Sequence, residues 1–182
     1  MRRFVILALV ATLLGSWAGG AEARGVGTSA MNFLKAGWSA RPGGMGGAFV
    51  ALADDLNAME WNPAGLSLLP PDQLVASFEH IFWFGDVEYE VLTFGQNLGE
   101  TYGAGLKILY RHMPDINNDL VDEPRIQVYD LAGVLGYGFQ IANFAVGLNV
   151  KFMNSHLGDV DFYGEAADLG MLVYFLERKV AL

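Results

Sequence analysis

The sequence predicts an all-β protein, a transmembrane antiparallel β-barrel of which about six strands are present, preceded by a signal peptide and a glycine-rich segment. Three observations support this: strand-like stretches bounded by aromatic residues, an export signal, and a composition rich in apolar residues. Hydrophobic residues make up 53% of the chain and charged residues 17%, against about 25% charged in soluble domains. So little charge favours a surface that meets lipid.

Residues 1–23 are predicted to be a secretory signal peptide. Arg2 and Arg3 precede an apolar run at positions 4–14, and Ala21-Glu22-Ala23 offers small residues for cleavage. The run is too short to cross a bilayer as a helix. The sequence contains no cysteine, so the exported chain cannot use disulfides and needs an ordinary core or a membrane.

Residues 24–69 form a glycine-rich segment that does not alternate like a strand. Asn62 suits a helix N-cap and Pro63 the first helical position, which predicts one tight helical turn starting there. Glycines at positions 43, 44, 46 and 47 allow a positive φ or a close backbone approach. The sequence leaves open whether they pack or only make turns. A phosphate-binding loop is rejected because no Lys-Ser or Lys-Thr follows them.

Residues 70–182 are predicted to form the partial barrel, with strands at about 74–84, 87–97, 100–111, 126–139, 143–154 and 163–176. Three of these strands hold two aromatic residues eight positions apart, with apolar residues at alternate positions between them. A strand of that length, tilted in the bilayer, rises roughly 19 Å, close to the ~25 Å apolar band of outer-membrane barrels. The expected membrane aromatic girdle is Tyr102, Tyr110, Tyr129, Tyr137, Phe144 and Phe152.

The opposite face of these strands is small or polar, because successive side chains point to opposite sides. Its polar members are expected to face the lumen and to line it or pair across it: Lys107, Asp130, Asn149, Lys151 and Asp168. Glycines on this face, at positions 103, 105, 147, 164 and 170, would let the glycine-rich segment pack against the inner wall.

A soluble β-sandwich is the alternative interpretation of the same alternation, since its strands also have one apolar face. The soluble sandwich and the membrane barrel differ in where the aromatic residues lie. A soluble domain would bury Tyr110, Tyr137 and Phe152 in one core, whereas a membrane barrel would expose them on its outside.

The connections suggest an orientation, because bacterial barrels keep short turns on the periplasmic side. Residues 97–99 and 140–143 are short connections, and 112–125 and 155–162 are longer. Six strands are fewer than the eight of the smallest bacterial barrels, and open sheet edges in lipid cost several kcal/mol per unpaired group. We therefore expect a truncated reading frame, or else assembly of several copies.

Residues 32–66 contain a dense set of motifs: Asn32-Phe33-Leu34-Lys35, then Ala40-Arg41, the run from Gly44 to Asp55, and Trp61-Asn62-Pro63-Ala64-Gly65-Leu66. They resemble the N-terminal signature of the PorV/PorQ family of outer-membrane proteins, which is similar in turn to the FadL long-chain fatty-acid transporters. The resemblance implies a hatch inside a barrel of about fourteen strands in the cell outer membrane. The expected hatch residues are Gly44, Gly46, Gly47, Asp54, Asp55, Trp61, Asn62, Pro63 and Gly65.

The function implied by the FadL resemblance is passage of hydrophobic small molecules across the outer membrane. The alternative is a PorV-like, protein-binding component of a type IX secretion system; a soluble secreted β-domain is the third hypothesis. The expected partners are outer-membrane lipid and either a hydrophobic small molecule or a secreted cargo protein. A net charge of −9 and the lack of a basic patch argue against nucleic acid.

Enzymatic activity is not expected. The three histidines, His80, His112 and His156, show no metal-ligand spacing, and no serine lies in a nucleophile elbow. The sequence therefore predicts no catalytic residue, no metal site and no cofactor. Asp54 and Asp55 are expected to cap a turn or to hydrogen-bond within one.

Acidic residues at alternate positions resemble the opening of a calcium loop: Asp115, Asn117 and Asp119, with Glu123 further on. An EF-hand loop needs glycine at its sixth place and glutamate at its twelfth, where this chain has Leu120 and Ile126. A solvated acidic loop is favoured.

Overall fold

The computed structural model of the chain describes residues 31–35, 37, 39–99, 101–116, 126–175 and 180–181. The chain divides into two units, Met1–Asn32 and Phe33–Leu182, and all that follows concerns the second. The predicted signal peptide and most of the acidic loop, including Asp119 and Glu123, lie outside the described residues. None of the helices in the described part of the chain has the length and apolar character to cross a membrane.

The described strands form one open antiparallel sheet in which each strand pairs with the next along the chain. Its long strands are β1 (Leu74–Phe82), β2 (Glu88–Asn97), β3 (Tyr102–Ile116), β4 (Ile126–Ile141), β5 (Phe144–Leu157) and β6 (Val160–Phe175). A two-residue strand, β7 (Val180–Ala181), pairs with the end of β6. The predicted all-β fold with six strands is thus confirmed.

Two hairpin turns test the predicted connections. Between β1 and β2 the Trp83 N–H donates to the Val87 carbonyl at 2.8 Å, and Gly85 and Asp86 have φ values of 70° and 55°, so the short connection between the predicted strands 74–84 and 87–97 is confirmed. The longer loop expected at residues 155–162 is wrong, because β5 continues to Leu157 and β6 begins at Val160. Gly158, with φ 59°, allows this tight turn. The loop-length argument for strand orientation then depends on residues 117–125, which the structure does not describe.

Residues 39–69, here called the inner segment, hold short helices and pack against one face of the sheet, here called the inner face. The short helical elements before the sheet are Asn32–Lys35 (3₁₀), Ala40–Gly44 (α), Ala58–Trp61 (α) and Pro63–Leu68 (3₁₀). The buried core lies between the inner segment and strands β4 to β6. From the inner segment it takes Phe49, Leu56, Met59, Leu66 and Leu69, and from the sheet Val134, Ala145, Leu172 and Tyr174.

Candidate functional site

A path of glycines crosses the inner face of the sheet beneath the inner segment. Because the strands are in register, Gly103 of β3 pairs with Gly138 of β4, which pairs with Gly147 of β5, which pairs with Gly170 of β6. A second row runs beside it and joins Gly95, Gly105 and Gly136. In the first row, four neighbouring strands thus have glycine, which has no side chain, at paired positions.

The 3₁₀ helix Pro63–Leu68 lies directly on this glycine path. A Cβ atom on Gly103 would come within 2.0 Å of the Leu66 carbonyl oxygen, and one on Gly147 within 2.1 Å of the Pro63 carbonyl carbon. Contacts this short exclude any side chain unless the backbone moves, so glycine is required for the close approach. The prediction that small strand residues admit the glycine-rich segment is confirmed at these positions.

Asn62 links two parts of the inner segment to each other and joins the inner segment to the sheet. Its side-chain oxygen accepts a hydrogen bond from the Ala64 N–H at 3.2 Å, and Pro63 follows at the first position of the 3₁₀ helix. Its amide nitrogen donates to the carbonyl of Val50 at 3.1 Å and to that of Met171 in β6 at 3.0 Å. The predicted N-cap is confirmed, and the bond to β6 is a tertiary contact that the sequence did not reveal.

Asn62→Ala should lower the free energy of unfolding by about 2 kcal/mol, because three backbone groups lose their hydrogen bonds to its buried side chain. Denaturant titration of the full chain in detergent micelles measures this. Asn57→Ala is the matched control, since Asn57 precedes the helix Ala58–Trp61 without a side-chain capping bond. Equal losses in the two variants would contradict the role assigned to Asn62.

Two further asparagines on the inner face bind backbone carbonyls of the inner segment. Asn97 of β2 donates to the carbonyls of Ser67 and Leu69 at 3.3 and 3.0 Å. Asn149 of β5 donates to the Met59 carbonyl at 2.8 Å and is fully buried. The sequence predicted the inward position of Asn149 but gave no signal for Asn97, whose partners lie about 30 residues earlier in the chain.

The polar residues predicted to face the lumen all lie on the inner face, and the charged ones among them form ion pairs. Lys151 Nζ lies 2.7 Å from an Asp168 carboxylate oxygen, and Arg111 Nε lies 2.5 Å from one of Asp130. Both pairs connect neighbouring strands. Only the Lys151–Asp168 pair joins two of the predicted residues, and it lies along the sheet, so pairing across a lumen stays a prediction.

Lys107 instead pairs with the inner segment. Its Nζ lies 2.9 Å from a Glu60 carboxylate oxygen, and the two side chains are only 8% and 16% exposed. This pair joins the helix Ala58–Trp61 to the middle of β3. The partner was not predicted, because nothing in sequence spacing relates two residues 47 positions apart.

Arg41 closes the loop of the inner segment. Its guanidinium contacts the carboxylates of both Asp54 and Asp55, with the Asp54 oxygen at 2.6 Å, and the two acidic neighbours raise the pKa of Arg41 above its ordinary value. Asp55 also accepts a hydrogen bond from the Asn57 N–H at 2.8 Å, which confirms its expected turn role. Both acidic residues therefore bind Arg41, which belongs to the same set of motifs.

The remaining motif residues pack within the inner segment. Gly46 and Gly47 adopt positive φ values of 63° and 80° in a turn, and the Trp61 ring lies over Gly47. Gly44 is the last residue of the helix Ala40–Gly44 and has open space around it, and a Cβ on any of these three glycines would meet no atom of the sheet. A Cβ on Gly65 would lie 1.7 Å from the Ala53 carbonyl oxygen, so Gly65 is required for packing.

The predicted girdle residues lie on the other face of the sheet, here called the outer face, in two rows. Tyr102 stacks on Tyr137 with ring centroids 6.5 Å apart near one end of the strands, and Tyr110 lies 6.2 Å from Tyr129 near the other. Tyr110, Tyr137 and Phe152 are 39%, 48% and 50% exposed. The burial expected for a soluble sandwich is therefore not found. Exposed apolar residues between the rows include Leu106, Ile108, Leu131, Leu135, Val146 and Leu169.

Fold and site together define a class of protein: an antiparallel β-sheet whose inner face holds a folded inner segment on paired glycines and whose outer face is apolar. The chain belongs to the uncharacterised protein family UPF0164, whose family model matches residues 7–159. That match includes the inner segment and strands β1 to β5, and it ends before β6 begins at Val160. No curated protein and no solved structure matches the chain significantly.

Proposed function

We propose that the sheet forms part of the wall of an outer-membrane β-barrel similar to FadL, which allows hydrophobic small molecules to cross the outer membrane. The observation that supports it is the difference between the two faces of the sheet. Soluble monomers rarely expose contiguous apolar patches beyond a few hundred Å². Here the apolar residues between two aromatic rows are exposed together, while glycines of the inner face are covered by the inner segment.

Among the described residues, β1 pairs only with β2, and β6 is paired on its far side only at Tyr174 and Phe175, which supports a closed assembly. Backbone groups at an open edge in lipid cost several kcal/mol each, so further strands or further copies must pair with them. The inner face would then line the lumen, and the inner segment would serve as the hatch implied by the FadL resemblance.

Passage of a hydrophobic molecule requires the inner segment to move. A cavity of about 30 Å³ lies beside Glu60 and Lys107, room for about one water molecule. Movement would break the Lys107–Glu60 pair and the asparagine bonds while leaving the sheet intact. The proposal requires no catalytic group and no cofactor, because apolar burial drives binding.

Membrane insertion is tested by Leu135→Lys. Leu135 lies between the aromatic rows and is 56% exposed, so a cation there should oppose insertion by about 2–3 kcal/mol. Gln127→Lys is the matched control, on the same face of β4 but beyond Tyr129. We expect the chain, exported in a diderm host, to enter the outer-membrane fraction, with Leu135→Lys depleted and Gln127→Lys not. A chain that is soluble without detergent after export contradicts the proposal.

Transport is tested separately by uptake of a fluorescent long-chain fatty acid in a host that lacks its own transporter. Uptake above that of the empty vector supports the hatch role. A chain that inserts without raising uptake would contradict the transport function but not the proposal of a membrane barrel.

A second candidate function, binding of secreted proteins as in PorV-like components, is favoured by the tip of the β1–β2 hairpin. Trp83 and Phe84 are 46% and 86% exposed there, and aromatic residues dominate protein-binding hot spots. Co-purification of an exported protein that is lost in Phe84→Ser, with Phe78→Ser on β1 as the control, would favour this function over transport.

A further inference from the structure

Two histidines and two glutamates from three adjacent strands converge on the outer face near the β1–β2 turn. His80 of β1 lies opposite Glu90 of β2, and Glu88 of β2 lies opposite His112 of β3. All four side chains are about one-third exposed, so an ion in solution can reach them. Sequence spacing did not indicate this cluster, because its two histidines lie on different strands from the two glutamates.

One ligand atom each from His80, Glu88 and Glu90 lies within 4.8 Å of the other two, and His112 lies next to both glutamates. Glu90 Oε1 lies 3.4 Å from His80 Nδ1 and 3.3 Å from His112 Nε2. Glu88 Oε2 lies 3.8 Å from His80 Nε2 and 3.7 Å from His112 Nε2. With zinc bonds of about 2.0–2.1 Å, neighbouring ligand atoms of a tetrahedron lie roughly 3.3–3.4 Å apart. Because one ion binds one nitrogen of the His80 ring, one glutamate would move toward that nitrogen as the site forms.

The surroundings also favour a cation. Glu88 and Glu90 project from the same face of one strand, two residues apart, so their like charges repel each other. The Glu90 oxygen Oε2 is buried and has no hydrogen-bond partner among the described residues.

Aromatic contacts hold the two imidazoles in place. The Phe82 ring lies 4.4 Å from the His80 ring, and the Tyr110 ring stacks 5.4 Å from that of His112. Fixed ligand orientation is what a metal site requires.

We propose that His80, Glu88, Glu90 and His112 form a site for a divalent metal ion of the zinc class. Imidazole nitrogen and carboxylate oxygen are ligands that Zn²⁺ accepts in four-coordinate sites. The metal would connect β1, β2 and β3 at the end of the sheet that holds the β1–β2 turn. This site goes beyond the proposed function and does not depend on it, since the register of three strands is enough to form it.

The test uses the purified full chain in detergent micelles, stripped with a chelator and then dialysed against zinc chloride. Elemental analysis should find one zinc ion per chain, and competition with a chromogenic chelator measures its dissociation constant. Loss of a residue that hydrogen-bonds a metal ligand, without binding the metal itself, weakens metal affinity about 10–100-fold. Removal of two ligands in the double variant His80→Ala/His112→Ala should therefore weaken binding at least 100-fold.

His156→Ala is the matched control, because His156 is the third histidine of the chain and pairs with Asp161 at 2.9 Å, outside the cluster. Glu90→Gln provides a conservative variant of the same shape, and far-UV circular dichroism checks folding. Cobalt provides a second readout, since tetrahedral coordination gives a visible band that Glu90→Gln should diminish. The proposal is overturned if the wild-type chain retains no zinc, or if the double variant binds it as tightly as His156→Ala.

Discussion

Gly147→Ala is expected to lower the free energy of unfolding by at least about 3 kcal/mol and to release the inner segment from the sheet. Its Cβ would lie 2.1 Å from the Pro63 carbonyl carbon and 2.2 Å from the Ala64 nitrogen. Overpacking of a core costs about 1–3 kcal/mol where side chains can adjust. Here the obstructing atoms belong to backbone on both sides, and Asn62 holds the turn in place, so the effect should lie at the upper end or beyond.

Denaturant titration in detergent micelles measures the loss, and limited proteolysis detects release of the inner segment. Gly133→Ala is the matched control, because Gly133 lies on the outer face of β4 with nothing within 4 Å of its added Cβ. Its stability should stay the same or rise by roughly 0.5 kcal/mol. If the two alanine variants were equally stable, the 3₁₀ helix would not lie on the glycine path.

Lys107→Met is expected to cost about 3–5 kcal/mol in unfolding free energy. The substitution leaves the Glu60 carboxylate, 16% exposed, without its cation at 2.9 Å, and an uncompensated buried charge is strongly destabilising. The same denaturant titration applies. Release of the inner segment should accompany the loss, since the pair joins it to β3.

The double variant Lys107→Met/Glu60→Gln distinguishes this cause from lost packing. With both charges gone, stability should recover to within about 1–2 kcal/mol of the original chain, because neutral replacements of a buried pair are often tolerated. Arg41→Met is the control, because the Arg41 and Asp54 side chains form an ion pair in which each is 43% exposed. It should lower the free energy of unfolding by only about 0–1 kcal/mol. A double variant no more stable than Lys107→Met would contradict the assigned role of the charge pair.

Local patterns in the sequence were enough to predict much of the sheet. Tyr102 and Tyr110 lie on the same face because a strand alternates strictly, and the same rule placed Lys107 on the opposite face. Asn62 and Pro63 predicted the start of the 3₁₀ helix because a cap acts within three residues. The loop expected at residues 155–162 was wrong because His156 and Asp161 pair across the hairpin, a contact visible only once both strands are placed.

The sequence by itself determined the alternation of faces, the six strands and the capped turn, since each depends on residues a few positions apart. Only the tertiary structure decided that Gly103, Gly138, Gly147 and Gly170 form one path, that Lys107 meets Glu60, and that His80 and His112 converge on two glutamates. The physical reason is strand register. A shift of one residue would send every side chain of a strand to the opposite face, and pairing across the whole sheet sets the register.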